Sequence, residues 1–133
     1  ELHAAIGLSV LPYVEGLIAE RKSISEEYDR LLDFTRLRKL EMRQEIIQNY
    51  AYYPIIFKRS GDLKKAKSAL EQENIYPRRY FYPSLNQLGY VNGQPCPVAE
   101  SVARNVLCLP FYPGLPEEVI VKVSDLVNSS IQS

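Results

Sequence analysis

The segment "NYAYYPIIFKRSGDLKKAKSALEQEN" (residues 49–74) decides the fold class, because a strand pattern is followed directly by a helix pattern. Residues 49–58 are rich in aromatic and β-branched side chains, which is typical of a strand. Pro54 has no backbone N–H to donate, so we expect either an edge strand or a bulge there. The segment therefore predicts a sheet with at least one helix packed beside it.

Residues 60–74 change to the three- and four-residue spacing of a helix with one buried face. We expect Ser60 or Asp62 to be the N-cap, because their side chains can accept from the first free amides of the helix. Asn74 suits the C-terminal turn. The expected buried stripe consists of Leu63, Ala66 and Leu70.

The first 32 residues also follow a helical period, with Pro12 as the expected break. We predict a short helix to about Leu11 and a longer one from Pro12 or Tyr13 to Leu32. The residues 35–42 ("TRLRKLEM") alternate like a half-exposed strand. The expected buried stripe of the two helices is Leu2, Ile6, Val10, Tyr13, Leu17, Ile24, Tyr28 and Leu31.

The C-terminal part predicts a short helix at 98–105, a strand that ends at Pro110, and a last helix with Pro116 in its first turn. Its expected stripe is Val119 or Ile120, Val123, Leu126 or Val127, and Ile131. Helices and strands mixed in this order predict an α+β (α/β layered) domain, in which a small sheet is covered by helices.

Composition excludes several classes of function. The 133 residues suit one domain, and sixteen basic residues balance sixteen acidic ones, so we expect neither nucleic acid nor an acidic membrane as a partner. No run approaches eighteen apolar residues. Cys96 and Cys108 form no CxxC pair, which favours reduced thiols in a cytoplasmic protein.

No catalytic or metal-binding motif stands out. His3 is the only histidine, and no GxSxG, GxGxxG or GxxxxGK sequence occurs. We expect no metal, because a single histidine and scattered carboxylates lack ligand spacing. The lysines lie on predicted exposed faces, so none is expected to be the sheltered nucleophile that Schiff-base chemistry needs.

The segment "NIYPRRYFYPSLNQLGY" (residues 74–90) raises the main functional question, because it holds four tyrosines and two adjacent arginines and is interrupted by Pro77 and Pro83. An extended chain would place Tyr76, Arg78, Tyr80 and Tyr82 on one face and Ile75, Pro77, Arg79 and Phe81 on the other. Arginine can fork onto a phosphate and tyrosine can stack on a ligand. From the residues alone, a ligand-binding wall and an edge strand covering the core are equally well supported.

Four blocks in order resemble the DegT/DnrJ/StrS family of sugar aminotransferases, enzymes that use pyridoxal phosphate (PLP). The blocks are "ELHAAIGLSVLPYVEGLIAERKSISEEYDRLL", "NYAYYPIIF", "ALEQENIYPRRYFYPSLNQLGY" and "CPVAESVARNVLCLPFYPGLPEEVI". They resemble the family's "E-x-x-AA-I-G" helix pair, its following strand, its "Y-x-P-L-H" segment and its "P-x-AE … LPL-x-P-x-L" ending. The resemblance covers essentially the whole chain.

The resemblance implies that residues 1–133 are the C-terminal small domain of a fold-type I aminotransferase, with a small, mostly antiparallel sheet packed against helices. The PLP-binding large domain would precede it, and we expect the chain to be an inactive fragment because it begins in helical register without a Met. The parent would be a homodimer that moves an amino group, usually from glutamate, to a keto sugar on a nucleotide. We expect no PLP on the fragment itself.

The resemblance also implies a set of substrate-binding residues, which we predict to be Arg78, Arg79, Tyr80, Tyr82 and Asn86. Asn86 stands where many members have the histidine of "P-L-H", and its amide can still donate and accept. Asn74 replaces a frequent glycine and suits a left-handed turn. The alternative is a regulatory or binding module that kept the fold without the catalysis.

Overall fold

The computed structural model describes residues 1–43 and 45–131. Helices and three short strands, joined by loops, form this part of the chain. The helices are α1 (Leu2–Val10), α2 (Val14–Leu31), α3 (Ser60–Gln72), α4 (Pro97–Asn105) and α5 (Glu117–Ile131), and the strands are β1 (Leu37–Arg38), β2 (Pro54–Phe57) and β3 (Val106–Cys108). Two 3₁₀ turns, Leu11–Tyr13 and Leu85–Gln87, complete the described elements.

The three strands form one sheet in the order β1-β2-β3, and both pairings are antiparallel. The predicted α+β class with a small antiparallel sheet is therefore confirmed. Pro54 was wrongly expected at an edge or a bulge, because β2 is the central strand. Pro54 is the first residue of β2, opposite Cys108, and the first position of a strand tolerates a residue without an N–H.

The core lies between the inner face of the sheet and helices α2, α3 and α5. Ile55, Phe57 and Leu107 project from the sheet and are almost completely buried. The predicted stripe of α3 is confirmed in full, and α5 buries Ile120, Val123, Ser124, Val127 and Ile131. Tyr28 of α2 donates from its hydroxyl to the carbonyl of Pro110 at 3.0 Å, and its ring stacks on Tyr53 with centroids 4.8 Å apart.

Pro12 does split the first helix, since the 3₁₀ turn Leu11–Tyr13 separates α1 from α2. The predicted stripe is wrong in its first half, because every residue of α1 is exposed and burial begins only in the second half of α2. No sheet or helix of the described part covers α1 or the turn after it. This segment therefore presents Leu2, Ile6, Leu8 and Leu11 to solvent.

The helical stretch Leu2–Leu31 meets the length and composition of a membrane span, with a mean hydropathy of 1.5 over 18 residues and no burial of that window. Residues 2–14 of this stretch contain no Asp, Glu, Lys or Arg, and His3 is their one titratable side chain apart from Tyr13. Glu15, Glu20 and Arg21 follow. That run is shorter than the ~20 residues that cross a bilayer. The expectation that no membrane is involved stays a prediction.

Two local expectations need correction, and a third is confirmed. The strand expected at 35–42 contains only Leu37 and Arg38. Ser60 and Asp62 do not cap α3, because Arg59 is the N-cap residue and Asp62 instead accepts from its guanidinium, Nε to Oδ2 at 2.9 Å. The expectation for Asn74 is confirmed, because its φ of 59° is left-handed.

We predict that Leu107→Ala lowers the free energy of unfolding by about 2–5 kcal/mol, because it leaves a cavity between the sheet and three helices. Urea denaturation followed by circular dichroism measures the loss. Val98→Ala is the control, since this side chain is 77% exposed on α4 and should change stability by less than about 0.5 kcal/mol. Equal effects of the two variants would contradict the core described above.

Candidate functional site

The segment that follows α3 does not form a regular strand. It adds one residue to the free edge of β3, where the Arg78 amide donates to the Cys108 carbonyl at 3.0 Å and the Cys108 amide donates to the Arg78 carbonyl at 2.7 Å. After Tyr80 the chain turns, passes through Leu85–Gln87 and reaches α4. The expected alternation therefore holds near Arg78 and fails beyond Tyr80.

Arg78 lies in a pocket of about 350 Å³ at this edge of the sheet, hereafter the Arg78 pocket. One guanidinium nitrogen of Arg78 donates to the Tyr80 hydroxyl at 2.6 Å, and the rings of Tyr80 and Tyr52 meet edge to face with centroids 5.3 Å apart. The side chains that define the pocket are Tyr52, Tyr76, Arg78, Tyr80, Pro110 and Tyr112.

Arg79 points away from this pocket, so the two arginines face opposite sides as expected. Its Nη2 donates to the carbonyls of Ala103 at 3.2 Å and Arg104 at 3.0 Å, which are free acceptors at the end of α4. Its guanidinium also stacks on Tyr82, 3.8 Å from the ring centroid. Tyr82 was expected beside Tyr80 and instead lies on the Arg79 side, because the chain has left the extended conformation.

Asn86 ties the loop before α4 to that helix. Its side-chain amide donates to the Gln94 carbonyl at 3.2 Å and to Glu100 Oε1 at 2.8 Å. The same Glu100 oxygen accepts from the Cys96 amide at 3.0 Å, which satisfies a donor at the start of α4. The hydrogen bond from the Cys96 amide has the larger effect on the pKa of Glu100, and the one from the Asn86 side chain adds to it. Both hold this pKa below its ordinary value.

A second hollow of about 450 Å³, the Asn86 hollow, borders Asn86, Phe81 and Leu85. Tyr80 lines both this hollow and the Arg78 pocket. The five predicted site residues therefore separate. Arg78, Tyr80 and Asn86 lie along two adjoining hollows, whereas Arg79 and Tyr82 lie at the end of α4.

Tyr52 and Tyr112 are pocket residues that sequence reasoning missed. Tyr52 precedes β2 and Tyr112 follows β3, so both are far along the chain from Arg78. They reach the same pocket because β2 pairs with one edge of β3 and Arg78 with the other. An excess of tyrosine next to strands was the one available signal, and it does not specify a shared pocket.

The described lysines do not fit the role of a Schiff-base residue for PLP. Such a lysine must be sheltered in an apolar site, where the amine is kept reactive. Every lysine in the described chain is exposed or half-exposed, and Lys39, Lys67 and Lys122 pair with carboxylates. The described residues therefore do not fit a covalent PLP site.

Comparisons with known proteins agree on one family. The DegT/DnrJ/EryC1/StrS aminotransferase family model matches residues 1–128. A dTDP-4-amino-4,6-dideoxy-D-glucose transaminase of Escherichia coli is 37% identical over 96% of this chain, which spans 37% of that relative's length. A pleiotropic regulatory protein of Geobacillus stearothermophilus is 26% identical over 94% of the chain and 36% of its own length.

A solved structure gives the same fold. The crystal structure of DesI with its TDP-sugar product superposes with a TM-score of 0.83 at 23% identity, over 97% of this chain and 35% of the DesI chain. The chain thus corresponds to about a third of the proteins that it resembles.

We predict that Gly93→Ala destabilises the loop before α4 by about 1–3 kcal/mol, because a Cβ there would lie 2.7 Å from the Asn86 carbonyl oxygen and 2.8 Å from its Cα. Urea denaturation measures the cost, and NMR of the Asn86 side-chain amide detects its displacement. Gly89→Ala is the matched control, since nothing lies within 4 Å of its added Cβ. An unshifted Asn86 amide in Gly93→Ala would contradict this close approach.

We also predict that the loop loosens in acid. The lowered pKa means that ionised Glu100 stabilises the loop above its ordinary value of 4.5, and that this contribution disappears as pH falls through the lowered value. The Asn86 and Cys96 amide signals should therefore titrate with a midpoint below 4.5. Glu100→Gln should abolish that titration and Glu118→Gln should not; a titration that survives Glu100→Gln would rule out this carboxylate.

Proposed function

The chain belongs to the DegT/DnrJ/EryC1/StrS aminotransferase family, and from this premise we propose that it is the small C-terminal domain of a PLP-dependent nucleotide-sugar aminotransferase. The observation that carries the proposal is the family match over residues 1–128, together with coverage of only about a third of the relatives. The parent protein would take an amino group from an amino acid, with glutamate as the expected donor. The acceptor would be the keto group of a nucleotide-linked deoxyhexose.

The proposed division of labour assigns the cofactor to a preceding large domain. PLP would supply the group that carries the amine between donor and acceptor, and a lysine outside this chain would hold it. No described lysine is buried, which supports that assignment. The chain alone would then be inactive, and its contribution would be to bind and orient the substrate.

Arg78, Tyr80 and Asn86 are the residues that we propose for substrate contact, because they line two adjoining hollows. Arg79 and Tyr82 would act by position, since their mutual stack and the hydrogen bonds of Arg79 fix the turn to α4. Asn86 already donates to Glu100, and its side-chain oxygen Oδ1 is buried with no donor among the described residues.

We further propose that the parent is a cytoplasmic homodimer that supplies aminosugars for cell-surface polysaccharides or secondary metabolites. The exposed apolar side chains of α1 support this proposal, because exposed apolar patches mark surfaces that another protein surface covers. Cys96 and Cys108 are both free, which supports a reducing compartment.

A regulatory module is the second candidate function, and the similarity to the pleiotropic regulatory protein favours it. The fold and the hollows would be the same in both cases. The presence of a PLP lysine in the parent protein separates the candidates, because a regulator without catalysis has no need of it.

We predict that the full-length parent binds PLP and transfers the amino group of glutamate to a nucleotide-linked keto sugar, whereas residues 1–133 alone do neither. Tyr80→Ala in the parent should raise the KM for the nucleotide sugar roughly tenfold, equivalent to about 1.4 kcal/mol, without changing the absorbance of bound PLP. Tyr90→Ala is the control, because that side chain is 85% exposed. A parent that binds no PLP would overturn the proposed function.

A further inference from the structure

We infer that a small basic cleft between α3 and α4 binds a phosphate group, either inorganic phosphate or the phosphate of a monoester. The cleft measures about 100 Å³ and shares no lining residue with the Arg78 pocket or the Asn86 hollow. The inference goes beyond the proposed function and does not rest on it. The residues that define the basic cleft are Ser60, Leu63, Lys64, Arg79, Tyr82 and Arg104.

The charge of the basic cleft is the first argument. Lys64 of α3, Arg79 of the connecting segment and Arg104 of α4 bring three positive charges to one small space. No Asp or Glu lines the cleft, and none of the three cations forms an ion pair among the described residues. Cations that meet without an anion repel one another. A phosphate group, which carries close to two negative charges at neutral pH, would remove this repulsion.

Two carboxylates lie nearby along the helices, and both have other partners. Asp62 Oδ2 accepts from the Arg59 guanidinium at 2.9 Å. Glu100 Oε1 accepts from the Cys96 amide at 3.0 Å and from the Asn86 side chain at 2.8 Å. Neither carboxylate forms an ion pair with a cation of the basic cleft, so the positive charge there stays available to a ligand.

The hydrogen-bonding groups are the second argument. Lysine and arginine side chains only donate, and the hydroxyls of Ser60 and Tyr82 can donate as well, so the cleft is rich in donors. Arg79 is already held in place, because its Nη2 donates to two carbonyls of α4 and its guanidinium stacks on Tyr82. Its Nη1 donates to no described group and is left for a phosphate oxygen. A donor fixed in advance loses little freedom when a ligand binds.

The start of α3 adds backbone donors beside these side chains. Ser60 is the first residue of the helix, and the N-cap residue Arg59 provides no side-chain cap. The amides of Ser60 and Gly61 donate to no described group. The positive end of the helix dipole also favours an anion at this position. The helix end therefore adds to the attraction of the three cations.

The size of the basic cleft limits the ligand. Its volume of about 100 Å³ is roughly three times the ~30 Å³ that one water molecule occupies in the liquid. A single phosphate group is of this order, whereas sites for larger small molecules commonly measure about 300–1,000 Å³. The cleft therefore suits free phosphate or one phosphate at the end of a longer molecule, and it is too small for a whole nucleotide.

The test is an NMR titration of the complete 133-residue chain, because every lining residue belongs to this chain. The probes are inorganic phosphate and glycerol phosphate at constant ionic strength, with sodium chloride as the control for screening. We expect both phosphates to give saturable shifts at Lys64, Arg79 and Arg104, and chloride to give none. Either order of affinity supports the site: tighter glycerol phosphate identifies a monoester as the ligand, and tighter inorganic phosphate identifies the free ion.

Two variants and a matched control test the cations. Lys64→Gln and Arg104→Gln should each weaken phosphate binding roughly three- to tenfold, because each removes one positive charge from the cleft. Both side chains are exposed, so the circular dichroism spectrum should not change. Lys65→Gln is the matched control and should leave the affinity unchanged, because Lys65 is also exposed on α3 but does not line the cleft. Arg78→Gln should leave it unchanged as well.

Four results would overturn the inference. They are shifts that do not saturate, equal shifts with chloride at the same ionic strength, Lys65→Gln weakening phosphate binding as much as Lys64→Gln, and shifts confined to the Arg78 pocket. The last result would mean that phosphate binds on the other side of the segment.

Discussion

Strand β3 is the constraint on which the rest of the structure depends, because both of its edges and both of its faces are occupied. One edge pairs with β2, and the other exchanges two backbone hydrogen bonds with Arg78. Leu107 projects into the core with no exposed surface, while Val106 and Cys108 project to the opposite face and border the two hollows. Three residues therefore join the packed core to the candidate site, so a change in core packing would also move the site.

The rest of the site is carried by irregular chain, which needs its own anchors. Arg79 provides one by donating to the last carbonyls of α4, where a positive charge also suits the helix dipole. Asn86, Glu100 and Gly93 provide the other at the start of the same helix. A loop held at both ends of one helix can present side chains in fixed positions, as binding loops on rigid scaffolds do.

The helices that pack on the sheet were the most predictable elements. The stripe of α3 and the burial of Val123, Val127 and Ile131 follow from spacing alone, because each of these faces meets the core of the same chain. The same reasoning failed for α1, whose apolar face meets nothing in the described part. Periodicity identifies a face that needs a cover, but it does not say whether this chain supplies the cover.

The sequence by itself determined the family, the α+β class, the order of the helices and the position of the arginine-tyrosine segment, although the strand expected after α3 did not form. Local rules are enough for these properties, since spacing, turn residues and motif order are all read from neighbouring positions. Only the tertiary structure decided that Arg78 faces a pocket while Arg79 caps α4, and that Tyr52 and Tyr112 join Arg78. The physical reason is that strand pairing at β3 brings together residues far apart in the chain, and no local pattern encodes such a meeting.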